Sequence, residues 1–261
     1  KSGLLGRVTK SIEDAGLAAM TYGGVKPNPT LAHAEEGVRQ AVEFGADYIL
    51  GVGGGSVIDT AKAIAHGTSH PDAALWDIWY KKVKITKSLP IACVLTIAAA
   101  GSEGSPDSVI TKEEGMFKRG ATGEGLRPTF SILNPALTQT LPPYQTACGI
   151  TDIMAHLFER YFTNTPEVEI TDRLCEAVLT TMVKETPRVI EDPNNYEARA
   201  NIMWAGMMAH NNCCGVGREQ DWASHDIEHE LSATYDCAHG AGLAVIFPAW
   251  MMTPCAGLWK W

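Results

Sequence analysis

The sequence has 261 residues, enough for one large α/β domain or two smaller ones with a self-supporting core. Hydrophobic residues make up 45% and aromatic residues 8%, at a mean hydropathy of -0.06, which excludes a disordered chain and a membrane protein. A net charge of -9, a pI near 5.4 and the lack of a basic run argue against nucleic acid or anionic lipid as a partner, because both need clustered Lys and Arg.

The longest apolar stretches, Tyr48–Val52 and Leu243–Met252, fall short of the roughly 20 residues that span a bilayer, and no signal-peptide pattern opens the sequence. The seven cysteines, at 93, 148, 175, 213, 214, 237 and 255, match no disulfide or zinc framework, so a reducing cytoplasm is expected.

In chain order, Lys1-Ser-Gly-Leu-Leu-Gly6 reads as the start of a helix with no strand before it. Leu31 to Ala46 gathers Ala34, Val38, Ala41, Val42 and Phe44 towards one side of a 3.6-residue period, which predicts an amphipathic helix. Asp47-Tyr-Ile-Leu-Gly-Val52 predicts a buried strand, Gly53-Gly-Gly-Ser56 a turn, and Val57 to His66 a resumed helix. Pro90-Ile-Ala-Cys-Val-Leu-Thr96 repeats the short apolar strand and also ends in small residues, Ala98 to Ser102. This alternation is the pattern of a parallel α/β sheet. From about Pro142 onward long helical patterns take over, at Thr146–Phe162, Ile170–Ile190, Ala198–Asn211 and Trp222–Ala233. Two domains are therefore expected, an α/β domain over 1–141 and an all-helical domain over 142–261. The closing Ala256-Gly-Leu-Trp-Lys-Trp261 completes no recognisable element, so a fragment is expected.

Four of the eight histidines, at 156, 225, 229 and 239, lie in the helical half close to acidic residues. Asp152 and His156 are four positions apart, so both emerge on one helix face and can grip one cation. A solvated surface pair is the competing reading. The flanking Ile153, Met154, Ala155, Leu157 and Phe158 favour burial, where an unpaired charge is costly. A second cluster runs Ser224-His225-Asp226-Ile227-Glu228-His229-Glu230 and continues to His239-Gly240. Spacing does not say which of these histidines bind metal, and core or capping histidines are the alternative. One Asp with two or three imidazoles suits Fe²⁺ or Zn²⁺ rather than Mg²⁺ or Ca²⁺. Gly53-Gly-Gly-Ser56 offers backbone N–H groups at a helix N-terminus, where the dipole favours a phosphate. Simple turn chemistry is the alternative there, and the run differs from the G-x-G-x-x-G fingerprint.

In this order, the glycines, the Asp–His pair and the His cluster resemble the iron-containing alcohol dehydrogenase family, in particular its butanol dehydrogenase branch. Matching stretches include Gly23-Gly-Val-Lys-Pro-Asn-Pro29, Gly53-Gly-Gly-Ser-Val-Ile-Asp59, Gly101-Ser-Glu103, Phe130-Ser-Ile-Leu-Asn-Pro135, Gly149-Ile-Thr-Asp-Ile-Met154 and His239-Gly-Ala-Gly-Leu-Ala-Val-Ile-Phe-Pro248. The resemblance runs from Gly3 to about Met251.

The resemblance implies a dehydroquinate synthase-like architecture, in which an α/β nucleotide-binding domain with a parallel sheet faces an all-α metal-binding domain across a cleft. It places the ligands of one divalent metal, Fe²⁺ or Zn²⁺, on Asp152, His156, His225 and His239, with His229 as the catalytic histidine beside the nicotinamide. It places NAD or NADP against Gly54, Gly55 and Ser56 at the diphosphate and Asp59 towards the nicotinamide, with Thr96, Ser102 and Lys118 as further contacts. The implied reaction is reversible hydride transfer between small aliphatic alcohols and aldehydes such as butanol and butanal, with the metal as Lewis acid and His229 passing a proton through water.

The apolar flanks of the metal motifs, together with Trp222, are read as a cleft suited to aliphatic substrates. The rival is a dehydroquinate synthase-like lyase, metal- and NAD-dependent, whose polar substrates would need several Lys and Arg in the cleft. The implied setting is a cytoplasmic homodimer acting on a small-molecule alcohol or aldehyde. Two positions depart from the family, Ala100 where Thr is usual and Ser105 where the branch has Asn, and both adjoin the nucleotide. The family's first strand and last helices fall outside the match, so weak solubility and little activity are expected of this chain alone. A metal- or nucleotide-binding fragment without turnover is the non-enzymatic alternative.

Overall fold

The computed structural model describes residues 3–252 of the 261. Lys1, Ser2, Cys255 and the closing Ala256–Trp261 segment lie outside the described residues.

The first helix, α1 (Leu4–Asp14), stands where the opening residues predict one. Helix α2 (Leu31–Phe44) starts at Thr30, whose hydroxyl accepts the His33 N–H, and stops at Gly45 in the left-handed region. Its buried face is Leu31, Ala34, Gly37 and Ala41, whereas Val42 and Phe44, expected on the inner side, are 46% and 43% exposed. The reason is a close, narrow contact: a Cβ on Gly37 would lie 2.4 Å from the Ile64 side chain, so small residues carry the interface and their bulkier neighbours stay outside.

Strand β1 (Ile49–Gly53) passes through Gly54 into α3 (Gly55–Ser69), as the glycine run predicts. Strand β2 (Ile91–Leu95) lies at the centre of a three-stranded parallel sheet, paired with β1 from Ile49↔Ile91 to Gly53↔Leu95 and with β5 (Phe130–Ile132) from Ala92↔Phe130. Every residue of β2 is buried, which is why it reads as an unbroken apolar run. Between β2 and β5 the chain makes an antiparallel hairpin that was not expected, β3 (Asp107–Lys112) and β4 (Phe117–Thr122). Its turn holds Gly115 and Met116 at positive φ.

Five helices follow: α4 (Pro143–Tyr161), α5 (Glu169–Glu191), α6 (Tyr196–His210), α7 (Ala223–Tyr235) and α8 (His239–Met251). Helix α4 is the hub, packed on α5, α6 and α8, while α7 packs on α8 and reaches β4. Ile153, Leu157, Met182, Ile202 and Met203 form the helical core, which continues without a break into Ile58, Cys93 and Leu95 of the α/β half. Each such side chain contributes on the order of 1.5–3 kcal/mol by its burial, so the two halves are held as one body by apolar contact. Among the described residues, no helix is long and apolar enough to cross a membrane.

Candidate functional site

Helix α4 carries Asp152 and His156 one turn apart, both at about 5% exposure. Their neighbours Ile153 and Leu157 point the other way, into the helical core, and Phe158 packs with Leu243 and Phe247. This corrects the expectation that these flanking residues line an apolar cleft, because on a helix residues next in sequence to a site face away from it; Trp222, named with them, does line the cavity, 5.3 Å from the His225 ring. Helix α7 brings His225 and His229, and the first residue of α8 is His239. The Asp152 Oδ1 lies 3.8 Å from His225 Nε2 and 3.7 Å from His239 Nε2, and one donor atom from each of these three residues lies within 4.8 Å of the others.

Two of those atoms, Asp152 Oδ1 and His225 Nε2, are buried without a hydrogen-bond partner among the described residues. Leaving such atoms unpaired costs about 1–3 kcal/mol each, more for a charged group, so the arrangement fits a cation shared between them. The electrostatics agree. Burial works against the Asp152 carboxylate, but His156 and His239 hold its pKa well below the ordinary range. Burial also opposes protonation of His225, and the Asp152 and Glu159 carboxylates outweigh it, pushing His225 up to about 9. An O/N₂ cluster that draws positive charge this strongly suits Fe²⁺ or Zn²⁺.

His156 stands apart from the trio. Its Nδ1 is 2.8 Å from the Asp152 carbonyl oxygen and 3.2 Å from Oδ1, with its ring 4.6 Å from that of His225. Because a carbonyl only accepts, Nδ1 carries the proton and Nε2 keeps its lone pair. His229 stands 5.5 Å, ring to ring, from His239 and forms a second acidic–imidazole group with Glu228 and His239. That group suits a cation less well, because Lys118 Nζ already sits 3.7 Å from Glu228 Oε2.

The glycine turn and this cluster open into one cavity of about 1650 Å³. Its walls include Gly54, Gly55 and Ser56 at one end and Asp152, His156, His225, His229 and His239 at the other. Gly54 caps α3 without a side chain, and its missing Cβ would lie 2.2 Å from Ile97, so only glycine leaves the helix N-terminus open. Asp59 and Ser102 also line the cavity and are bound to each other at 2.6 Å, with the second Asp59 oxygen 3.0 Å from Val109 N. Lys118 lines it too, donating to Asn28 Oδ1 at 3.0 Å and Ser232 Oγ at 2.7 Å, so it bridges β4 to α7. Thr96 does not reach the cavity wall; its N–H closes the sheet end on the Gly53 carbonyl at 3.0 Å. Ala100 and Ser105, the two departures, both line the cavity.

Sequence reasoning missed several neighbours. Glu159 Oε1 lies 2.9 Å from His225 Nδ1, and Glu228 Oε2 is bonded to His239 Nδ1. The fully buried Lys62 donates to Ser102 Oγ and to the carbonyls of Ser102, Ser105 and Asp107, which fixes one wall of the cavity. The His210 ring lies 4.2 Å from that of His156, tilted by 54°, and its Nε2 reaches Asp107 Oδ2 at 3.1 Å, tying α6 to the hairpin. Lys26, Lys81, Lys84, Arg119 and Arg127 also line the cavity, with Arg119 paired to Glu230 and Arg127 to Glu124, and Asp107, Asp226 and Asp236 lie in the same wall, so its charge is mixed. For Lys62, Glu159 and Glu228 the signal was an i, i+3 spacing from Asp59, His156 and His225 on helices, which ordinarily marks a solvated face.

The patterns of two adjoining domains match this chain: iron-containing alcohol dehydrogenase over residues 1–135, and the C-terminal domain of the Fe-containing alcohol dehydrogenase family over residues 146–255. The chain belongs to the iron-containing alcohol dehydrogenase family. It is 45% identical to the probable NADH-dependent butanol dehydrogenase 2 of Bacillus subtilis (strain 168), over 96% of this chain and 64% of that protein. It is 37% identical to the NADPH-dependent aldehyde reductase YqhD of Escherichia coli (strain K12), over 95% of this chain and 64% of that protein. Among solved structures, the NADH-dependent butanol dehydrogenase A of Thermotoga maritima superposes with a TM-score of 0.92 at 44% identity, over 95% of this chain and 62% of that one. The chain thus spans a little under two thirds of these iron-containing alcohol dehydrogenases, and the α/β half followed by a helical half is the architecture it shares with them.

Proposed function

We propose that this chain is the nucleotide- and metal-binding part of an NAD(P)-linked alcohol dehydrogenase, which interconverts small alcohols and aldehydes such as butanol and butanal. The observation that carries the reading is the single cavity joining the glycine turn of α3 to the Asp152, His225 and His239 cluster. Those three residues, with His156 as the fourth, are the proposed ligands of one Fe²⁺ or Zn²⁺. When bound, the cation supplies Lewis-acid polarisation of a carbonyl and the nicotinamide supplies the hydride.

The chain's own residues do the rest. The N-terminus of α3 at Gly54, Gly55 and Ser56 presents N–H groups and a positive dipole end to a diphosphate. Asp59, Ser102 and Lys118 shape the wall between diphosphate and metal, and Thr96 acts through the sheet end rather than by contact. Burial, Lys118 and His239 depress the pKa of His229 well below the ordinary value, so near pH 7 its unprotonated ring nitrogen is a proton acceptor within the cavity. The junction of the two halves is taken at residues 141/142. A cytoplasmic homodimer rests on family resemblance.

Basic and acidic residues share the cavity wall, so its charge does not decide between an aldehyde and a phosphorylated substrate, and the choice of aldehydes over a lyase substrate rests on the relatives. The test is NADH and NADPH oxidation on adding butanal or a sugar phosphate. It is run with the 261-residue chain and with a chimera carrying the flanking segments of the Bacillus subtilis relative. Butanal-dependent oxidation that a chelator abolishes supports the reading; higher kcat/KM for the phosphorylated compound overturns it.

A further inference from the structure

We propose that Glu159 and Glu228 are the positioning carboxylates of the metal centre: each fixes one histidine with its Nε2 towards Asp152, and together they set how tightly the cation is held. This rests on the metal reading above. Glu159 Oε1 lies 2.9 Å from His225 Nδ1 and 3.0 Å from the His225 backbone N, while Glu228 Oε2 is bonded to His239 Nδ1. A carboxylate accepts and does not donate, so each ring holds a proton at Nδ1 and turns Nε2 towards Asp152 Oδ1, where a bound cation would take the place of any Nε2 proton. Those Nε2 atoms are the ones 3.8 and 3.7 Å from Asp152.

Both carboxylates are built in rather than incidental. Glu159 is 1% exposed and Glu228 0%. The backbone makes room for Glu228, because a Cβ on Gly242 would lie 2.6 Å from its Oε1 and 2.7 Å from its Cγ. Ser232 Oγ donates to Glu228 Oε2 at 3.3 Å, and Lys118 Nζ stands 3.7 Å from the same oxygen. The second oxygen of each glutamate has no hydrogen-bond partner among the described residues, and the first serves the histidine Nδ1 together with the His225 backbone N–H at Glu159, and with Ser232 and Lys118 at Glu228. A full negative charge behind an imidazole raises the basicity of the opposite nitrogen and locks the ring's orientation. The bland reading is that Glu159 only caps α7 at the His225 N–H; an amide oxygen would cap equally well, and this separates the two.

The experiment is Zn²⁺ competition against a chromophoric chelator, with the Co²⁺ absorption spectrum as a second readout. The 261-residue chain is compared with its E159Q, E228Q and E185Q variants. Glu185 on α5 is equally buried, at 2%, but pairs with Arg188, so it controls for burying an amide in place of a carboxylate. E159Q and E228Q are expected to bind Zn²⁺ about 10–100-fold more weakly and to shift the Co²⁺ band, with far-UV circular dichroism retained. E185Q leaves both readouts as in the parent. Zn²⁺ affinities of E159Q and E228Q that match the parent overturn the proposal. If a glutamine variant fails to fold, E159D or E228D, which keep the charge but shorten its reach, takes its place with the same expected direction. A parent chain that takes up no Zn²⁺ or Co²⁺ sinks the metal reading, and the proposal with it.

Discussion

Gly240 rests on the carbonyl of Cys148: a Cβ at position 240 would lie 2.0 Å from that oxygen and 2.8 Å from the Cys148 Cα. The contact seats the N-terminus of α8, and with it His239, against α4 one turn before Asp152. Because the obstructing atoms are backbone, Gly240→Ala forces the helices apart. It is expected to cost about 1–3 kcal/mol in urea unfolding and to lower bound Zn²⁺. A variant as stable and as well loaded as the parent would show that α8 is not seated this way.

Burial pushes the Glu103 carboxyl up to about 7, against the pull of its own backbone N–H and of Lys62, and its Oε1 lacks a partner among the described residues. The native state therefore binds this proton more tightly than the unfolded chain, whose glutamates titrate at about 4.3. The associated stability is fully present below that value and is lost as pH rises through 7. Between about pH 4.5 and 8 the parent should lose roughly 3 kcal/mol more than Glu103→Gln. Unfolding curves of the two proteins that stay parallel across this window would contradict the assignment.

A side chain at Gly54 would press on Ile97, which lines the cavity where the diphosphate is proposed to lie. Gly54→Val should weaken NADH binding, followed by its fluorescence, at least about tenfold, or 1.4 kcal/mol, while leaving the Zn²⁺ content alone. Unchanged NADH affinity would place the nucleotide elsewhere.

His229 is proposed to act on a proton and not on the metal. His229→Ala should keep stoichiometric metal and lower kcat by on the order of 10²-fold in the chimera of family length. Loss of the metal instead would make His229 a ligand.

Much of the frame was legible because its signals are local. The strand, glycine turn and helix of β1 and α3, and helices α4 to α7, stand within a few residues of where periodicity and capping put them. The β3–β4 hairpin was not legible: its strands are polar and only partly buried, and its turn is built from Glu113, Glu114, Gly115 and Met116, so neither an apolar run nor a two-residue turn marks it. Helix α8 was hidden by Gly240, Gly242 and Pro248, which read as breakers but are contact points against Cys148 and Glu228 or lie in the helix's last turn. Asp152, His225 and His239 stood out as candidates by residue type, and the resemblance, not their spacing, chose among the histidines. Glu159 and Glu228 were not, because a glutamate beside a histidine on a helix looks solvated until α4, α7 and α8 close around it. The apolar cleft was inferred from sequence neighbours that a helix turns to its opposite face.

The most direct test of the account is anomalous scattering at the zinc edge from a crystal grown with Zn²⁺. The account predicts one peak bounded by Asp152, His225 and His239, with His156 turned in as the fourth donor. A peak between Glu228 and His229, or none within the cavity, would contradict it.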